Sequence, residues 1–123
     1  MRPLPEALAL AAACLLAVAS ASAGEADVLA AHATCDASRV CRFAVTVRHA
    51  DAGWDHYADR FEVLAPDGTL LATRVLQHPH VEEQPFTREL LGARVPAGVG
   101  TVRIRAHDSQ HGFGGAEVEI PVP

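Results

Sequence analysis

Alternating hydrophobic and polar positions recur along most of the chain after residue 25. In the stretch VCRFAVTVRH, at 40–49, the side chains of Cys41, Phe43, Val45 and Val47 share one face, and polar or charged residues occupy the other. This period of two predicts a half-buried β-strand. Comparable extended stretches occupy 27–35, 60–65, 69–77, 86–95, 101–108 and 116–122. No stretch after the leader described below shows a helical stripe, so we predict an all-β domain of seven short strands.

Turn sequences separate these stretches at regular intervals, among them PDG at 66–68 and the glycine-rich SQHGFGG at 109–115. This spacing is typical of a seven-stranded β-sandwich of the immunoglobulin or fibronectin-III-like kind. If each connection reverses the chain, the loops at 49–59, 77–85 and 107–115 lie at one end of the sandwich. Six of the seven histidines belong to these loops or their edges. We therefore expect a histidine-rich site there, since loops at one end of a rigid sandwich commonly carry binding residues.

The N-terminal segment has the pattern of a signal peptide. Arg2 precedes an apolar run, and Ala21-Ser22-Ala23 fits the small-x-small rule for cleavage. We predict a cleaved signal peptide at 1–23 and a single domain at 24–123, beginning at Gly24. The run is too short for a convincing membrane span. Ala13-Cys14 is a weak lipoprotein signal, so the sequence favours cleavage at Ala23 over lipidation at Cys14.

Two cysteines remain after the leader is removed, Cys35 and Cys41. An even pair in an exported protein predicts a disulfide, which would stabilise the fold by roughly 2 kcal/mol for so short a loop. We expect a periplasmic or secreted protein, with no membrane span in the mature chain.

The formal net charge is −5, and every basic residue is an arginine. That balance argues against a nucleic-acid partner and mildly favours cations. The abundance of histidine points more specifically to a metal ion.

His78-Pro79-His80 is the most conspicuous candidate motif. An extended backbone stiffened by Pro79 would direct both imidazoles the same way, as a bidentate nitrogen donor. Three further histidines are candidates to complete the set of ligands: His56, His107 and His111. Imidazole without soft sulfur suits Zn²⁺, Cu²⁺ or Ni²⁺. The alternative is a loop corner in which the imidazoles only form hydrogen bonds.

Other residues are expected to support the site. Asp108 follows the inward register of its strand and would orient a histidine or clamp a loop. His49, Tyr57 and Glu83 are expected to have structural roles. Trp54 is expected to pack in the core, as tryptophan near a third strand usually does in a sandwich.

The motifs GWDHYAD, HPHVEEQPFTREL and AHDSQHGFGG resemble a family of small exported bacterial β-sandwich domains of unassigned function. The resemblance implies that these loops form one unit but brings no established chemistry. Superoxide dismutase and superoxide reductase also hold metals on β-sandwiches, yet the first family's glycine-flanked histidines and the second's cysteine ligand are missing. We therefore expect a non-catalytic binding module. The alternatives are an interaction domain for an envelope protein, and a metal-dependent redox enzyme.

Overall fold

The computed structural model describes residues 24–123, which form seven strands without a helix. The strands are β1 (Asp27–Cys35), β2 (Val40–Arg48), β3 (Ala58–Leu64), β4 (Leu70–Val75), β5 (Phe86–Arg94), β6 (Thr101–Asp108) and β7 (Val118–Pro121). The predicted all-β class and the number of strands are confirmed. The predicted signal peptide and Cys14 lie outside the described residues.

The strands form two antiparallel sheets, one ordered β1-β2-β5 and the other β4-β3-β6-β7. Their facing side chains form a single core, because the inward positions of β2 and β6 are apolar and alternate with polar ones. Phe43, Phe61, Phe86 and Ile104 are fully buried there. The predicted inward faces of β2 and β6 are confirmed, including Asp108, which is 0% exposed at the end of β6.

The antiparallel pairing decides which chain ends meet. Asp27 pairs with Arg48, and Ala58 pairs with Asp108, so the start of β1 lies at the same end as the β2–β3 loop. The predicted disulfide between Cys35 and Cys41 is confirmed. It links β1 to β2 at the end of this strand pair that lies away from the β2–β3 loop.

The expectation that Trp54 packs in the core is wrong, because its side chain is 67% exposed. Gly53 and His56 form an isolated bridge, in which the His56 amide donates to the Gly53 carbonyl at 3.1 Å. Trp54 therefore sits at the tip of a tight turn, with its ring edge against Tyr57. Three buried phenylalanines occupy the centre of the core instead.

Candidate functional site

We call the end of the sandwich that carries the β2–β3, β4–β5 and β6–β7 loops the histidine end. The Gln84 side chain links two of these loops. Its Oε1 accepts a hydrogen bond from the His49 amide at 2.9 Å, and its Nε2 donates to the His80 carbonyl at 2.9 Å. The backbone of Ser109 donates to the Tyr57 carbonyl, which attaches the third loop. The three loops therefore form one unit.

Asp108 lies at the centre of the histidine end. Its Oδ1 accepts two backbone hydrogen bonds, each of 2.7 Å, from Gln110 and His111. Its Oδ2 faces two imidazoles, bonding His49 Nε2 and lying 2.7 Å from His56 Nε2. The loop amides thus hold the carboxylate in one orientation and direct its second oxygen toward both histidines.

Asp51 holds His49 from the other side. Asp51 Oδ1 lies 2.5 Å from His49 Nδ1 and also accepts the Ala58 amide at 3.1 Å. Its Oδ2 accepts the His80 amide at 2.6 Å. Asp51 is only 6% exposed, so this carboxylate fixes the plane of the His49 ring and directs Nε2 toward Asp108.

The backbone of Gly24 closes the cluster. Its carbonyl oxygen lies 3.1 Å from His49 Nε2 and 3.3 Å from His56 Nε2. The His56 ring stands between those of His49 and His111, with 5.0 Å between ring centroids on each side. His49, His56 and Asp108 can each offer one ligand atom, and these atoms lie within 4.8 Å of one another.

The pKa shifts follow from this arrangement. Burial alone would lower the pKa of His49, but its bonds to Asp51 and Asp108 outweigh burial, and the pKa is raised above 6.5. Burial opposes ionisation of Asp108, yet the amides of His111 and Gln110 and the two imidazoles lower its pKa below 3.8. The metal-free cluster therefore favours an ionised Asp108 and an imidazolium at His49.

Charge balance shows what the cluster can bind. Two buried carboxyl groups, those of Asp51 and Asp108, flank the single imidazole of His49. Buried charges require compensation. The proton on His49 Nε2 supplies it for Asp108, and so would a divalent cation that replaces that proton. Protons and a divalent ion would therefore compete for the same nitrogens.

The imidazoles of His78 and His80 lie outside this group of ligand atoms, although His80 Nδ1 is 3.9 Å from Asp51 Oδ2. His80 is 5% exposed and stacks on Phe86, with centroids 4.0 Å apart. Within the described residues neither of its ring nitrogens has a hydrogen-bonding partner, and burial, together with nearby Arg88 and His78, lowers its pKa. His78 is exposed, and its Nδ1 bonds the carbonyl of Pro79. The two rings lie 4.7 Å apart, beside the site rather than in it.

The other candidate residues have separate surroundings. His107 Nδ1 bonds Asp59 at 2.7 Å, and its ring packs edge-on against Phe113. His111 is exposed and borders the cluster through His56. Glu83 forms an ion pair of 3.0 Å with Arg88, and the Tyr57 amide donates to the Ser109 hydroxyl.

Two members of the site were not predicted from the sequence. Asp51 follows His49 by two residues in HAD, a spacing that could have indicated an orienting carboxylate. Gly24 could have been found because an antiparallel β1 returns the start of the domain to the histidine end.

Comparison with known proteins gives one informative relative. A protein of Halomicrobium mukohataei described as "Putative lipoprotein" is 40% identical over 82 residues, which covers 67% of this chain. The chain spans 40% of that relative's length. No protein-family model matches the chain, and no solved structure matches it significantly. The part of the chain that the structure describes contains no helix long and apolar enough to cross a membrane.

Proposed function

We propose that this protein is an exported, non-catalytic binding module that holds a divalent transition-metal ion at the histidine end. The observation that carries the proposal is the convergence of His49 Nε2, His56 Nε2 and Asp108 Oδ2 within 4.8 Å of one another. His49 and Asp108 are buried and orient each other, so the ligand set is preorganised. The proposed ligands therefore replace His78 and His80, which the sequence favours, as the principal pair.

The donor chemistry selects the ion. Two imidazoles and one carboxylate, without thiolate or thioether, suit Zn²⁺, Cu²⁺ or Ni²⁺. The Asp51–His49 contact is the carboxylate–histidine arrangement that fixes the tautomer of a ligating histidine and raises its basicity. The same donors hold Fe²⁺ in other proteins, so Fe²⁺ belongs in any screen of ions.

The wider setting of the proposal is an envelope or secreted protein. The disulfide is typical of extracytoplasmic proteins, and the name of the Halomicrobium relative points to the cell envelope. We propose a cleaved signal peptide at 1–23 and a domain at 24–123 of the immunoglobulin or fibronectin-III-like kind. The two packed antiparallel sheets of three and four strands support this assignment.

A second candidate function is an interaction domain for another envelope protein. One observation favours it: in the metal-free arrangement His49 has a carboxylate on each ring nitrogen, so the network is already hydrogen-bonded. In that case the cluster would stabilise a rigid loop surface and bind no ion.

Metal analysis of matched variants separates the two. The wild type, His56→Gln and His78→Gln should be purified from the periplasm without a histidine tag, and their metal content and thermal shifts compared. We choose His56 because its side chain is partly exposed, 23%, so that its replacement disturbs the fold least. His78→Gln is the control, an exposed histidine beside the site.

Stoichiometric metal in the wild type and His78→Gln, with loss in His56→Gln, supports the metal site. Loss in His78→Gln, with metal retained in His56→Gln, would return the ligand role to the His78 region. Failure of the wild type to bind Zn²⁺, Cu²⁺, Ni²⁺ or Fe²⁺ refutes the proposal and favours the interaction domain.

A further inference from the structure

We infer that removal of the leader completes the metal site, by making the α-amine of Gly24 an additional nitrogen ligand. The inference rests on the proposed function and concerns how the site matures. Cleavage hydrolyses the Ala23–Gly24 peptide bond: one water is consumed, Ala23 leaves with a carboxylate, and Gly24 retains an amine. Export and the capacity to bind the ion are thereby linked.

The position of Gly24 carries the inference. Its carbonyl oxygen already lies 3.1 Å and 3.3 Å from the two proposed imidazole donors. The nitrogen and the carbonyl oxygen of one residue are separated by only two atoms, so the amine lies within about 4 Å of this oxygen. An ion held by His49 and His56 could therefore contact both atoms of Gly24 in one chelate ring.

A side chain at Gly24 would require the His111 ring to move. A Cβ added there would lie 2.8 Å from His111 Nε2 and 3.5 Å from His56 Cε1. The residue also has a φ of +99°, in the region that favours glycine. The backbone of the predicted mature N-terminus is thus fitted between two imidazoles, which is unexpected for a terminus that only leads into a strand.

Neighbouring residues hold this segment in place. Ala26 and Val28 are buried, and the Val28 amide donates to the Ala116 carbonyl at 2.8 Å. The Ala116 amide in turn donates to Asp27 Oδ1 at 2.8 Å. Gly24 is therefore two residues from the buried Ala26 and three from the hydrogen-bonded Asp27, so its place at the cluster is set by the fold.

Cleavage changes the chemistry of the Gly24 nitrogen. In the precursor it is an amide, whose lone pair is delocalised into the adjacent carbonyl. In the mature protein it is an amine, whose lone pair can ligate an ion once the amine is deprotonated. The mature protein should therefore bind the ion more tightly than a chain that continues before Gly24.

The composition makes the amine chemically unique. The chain contains no lysine, since all ten of its basic residues are arginines. After cleavage at Ala23 the α-amine of Gly24 would be the only primary amine in the protein. Acetylation of the purified mature protein with an amine-selective reagent would then block one atom, and intact mass would verify a single addition.

The experiment compares Zn²⁺ and Cu²⁺ affinity in three proteins exported from the full-length precursor. They are the processed wild type, the same protein after acetylation, and a variant with Thr-Gln inserted between Ala23 and Gly24. Intact mass establishes each N-terminus. Blocking or extending the amine should weaken binding by at least about tenfold, because a tethered donor acts at high effective concentration. Bound Zn²⁺ should also protect the wild type from acetylation.

Equal affinity in the three proteins would overturn the inference and leave the proposed function standing. Absence of binding in all three would overturn both. A mature N-terminus other than Gly24, such as a lipidated Cys14, would overturn the inference alone.

Discussion

Replacement of Asp108 by asparagine tests the centre of the site, because it changes one atom of a fully buried carboxylate. The new side chain keeps Oδ1 for the amides of Gln110 and His111, both at 2.7 Å. Its NH₂ group, however, would face His49 and His56, where a negatively charged acceptor stood. The His49 imidazolium would then retain only its contact with Asp51.

The magnitude follows from these losses. Hydrogen bonds to charged groups contribute about 1.5–3 kcal/mol each, and removing one partner of a buried charge pair costs about 3–5 kcal/mol. Deprotonation of His49 would relieve part of this cost. We therefore expect Asp108→Asn to lower the free energy of unfolding of the metal-free protein by about 3 kcal/mol. The melting temperature should fall by roughly 12 °C or more, for a domain of this size.

Urea denaturation in the presence of a chelator measures the change, followed by far-ultraviolet circular dichroism because Trp54 is already exposed in the native fold. Glu62→Gln is the matched control. Glu62 is a buried carboxylate outside the site that accepts bonds from Arg60 and Arg105. The Glu62→Gln variant should lose stability but keep its metal, whereas the Asp108→Asn variant should lose both. A loss below about 1 kcal/mol for Asp108→Asn would refute the description of the buried network.

Three further outcomes are expected. Because the pKa of His49 is raised above 6.5, its stabilising contribution is complete below pH 6.5 and is lost as pH rises through the folded-state pKa. Melts at a series of pH values should show the metal-free protein losing stability above pH 6.5, while the increase in melting temperature on adding Zn²⁺ grows. An increase that does not change with pH would contradict competition between protons and the metal. His80→Phe should raise the free energy of unfolding, measured by urea denaturation, by about 1 kcal/mol, because it removes buried ring nitrogens that have no hydrogen-bonding partner and keeps the stack on Phe86. Destabilisation would indicate that the His80 ring has a partner. Replacing Cys35 and Cys41 together by serine should lower the free energy of unfolding by roughly 2 kcal/mol without changing metal content, and loss of the metal would mean that the two ends of the sandwich are coupled.

The strand pattern could be predicted because it depends on local alternation. The stretches at 27–35 and 101–108 coincide with β1 and β6, and the burial of Cys41, Phe43 and Val45 follows from their period. That the histidine-containing loops share one end of the sandwich could be inferred by counting chain reversals. These inferences require only that a strand alternates and that a turn reverses it.

The ligand set could not be predicted in the same way, because loop side chains are directed by contacts that alternation does not encode. Pro79 made His78 and His80 look preorganised, yet the β4–β5 loop buries one imidazole against Phe86 and exposes the other. The turn between Gly53 and His56 directs His56 inward and Trp54 outward. Asp108 could be identified as a supporting residue of the site from its inward register alone, because it is the last residue of β6 and the alternation of the strand still applies there.

The burial of Asp51 and Asp108 is the feature that most needs a functional explanation. Both are buried, and two acids sharing one imidazole cost desolvation energy that apolar replacements avoid. A purely structural role would be satisfied by the hydrogen bonds alone, and then apolar replacement of the whole cluster would be neutral or stabilising without loss of function. A metal site instead uses both acids, because Asp108 would ligate the ion and Asp51 would orient the ligating His49. The Nε2 proton of His49 therefore distinguishes the two roles: it stays in place in a structural network and is released when an ion binds.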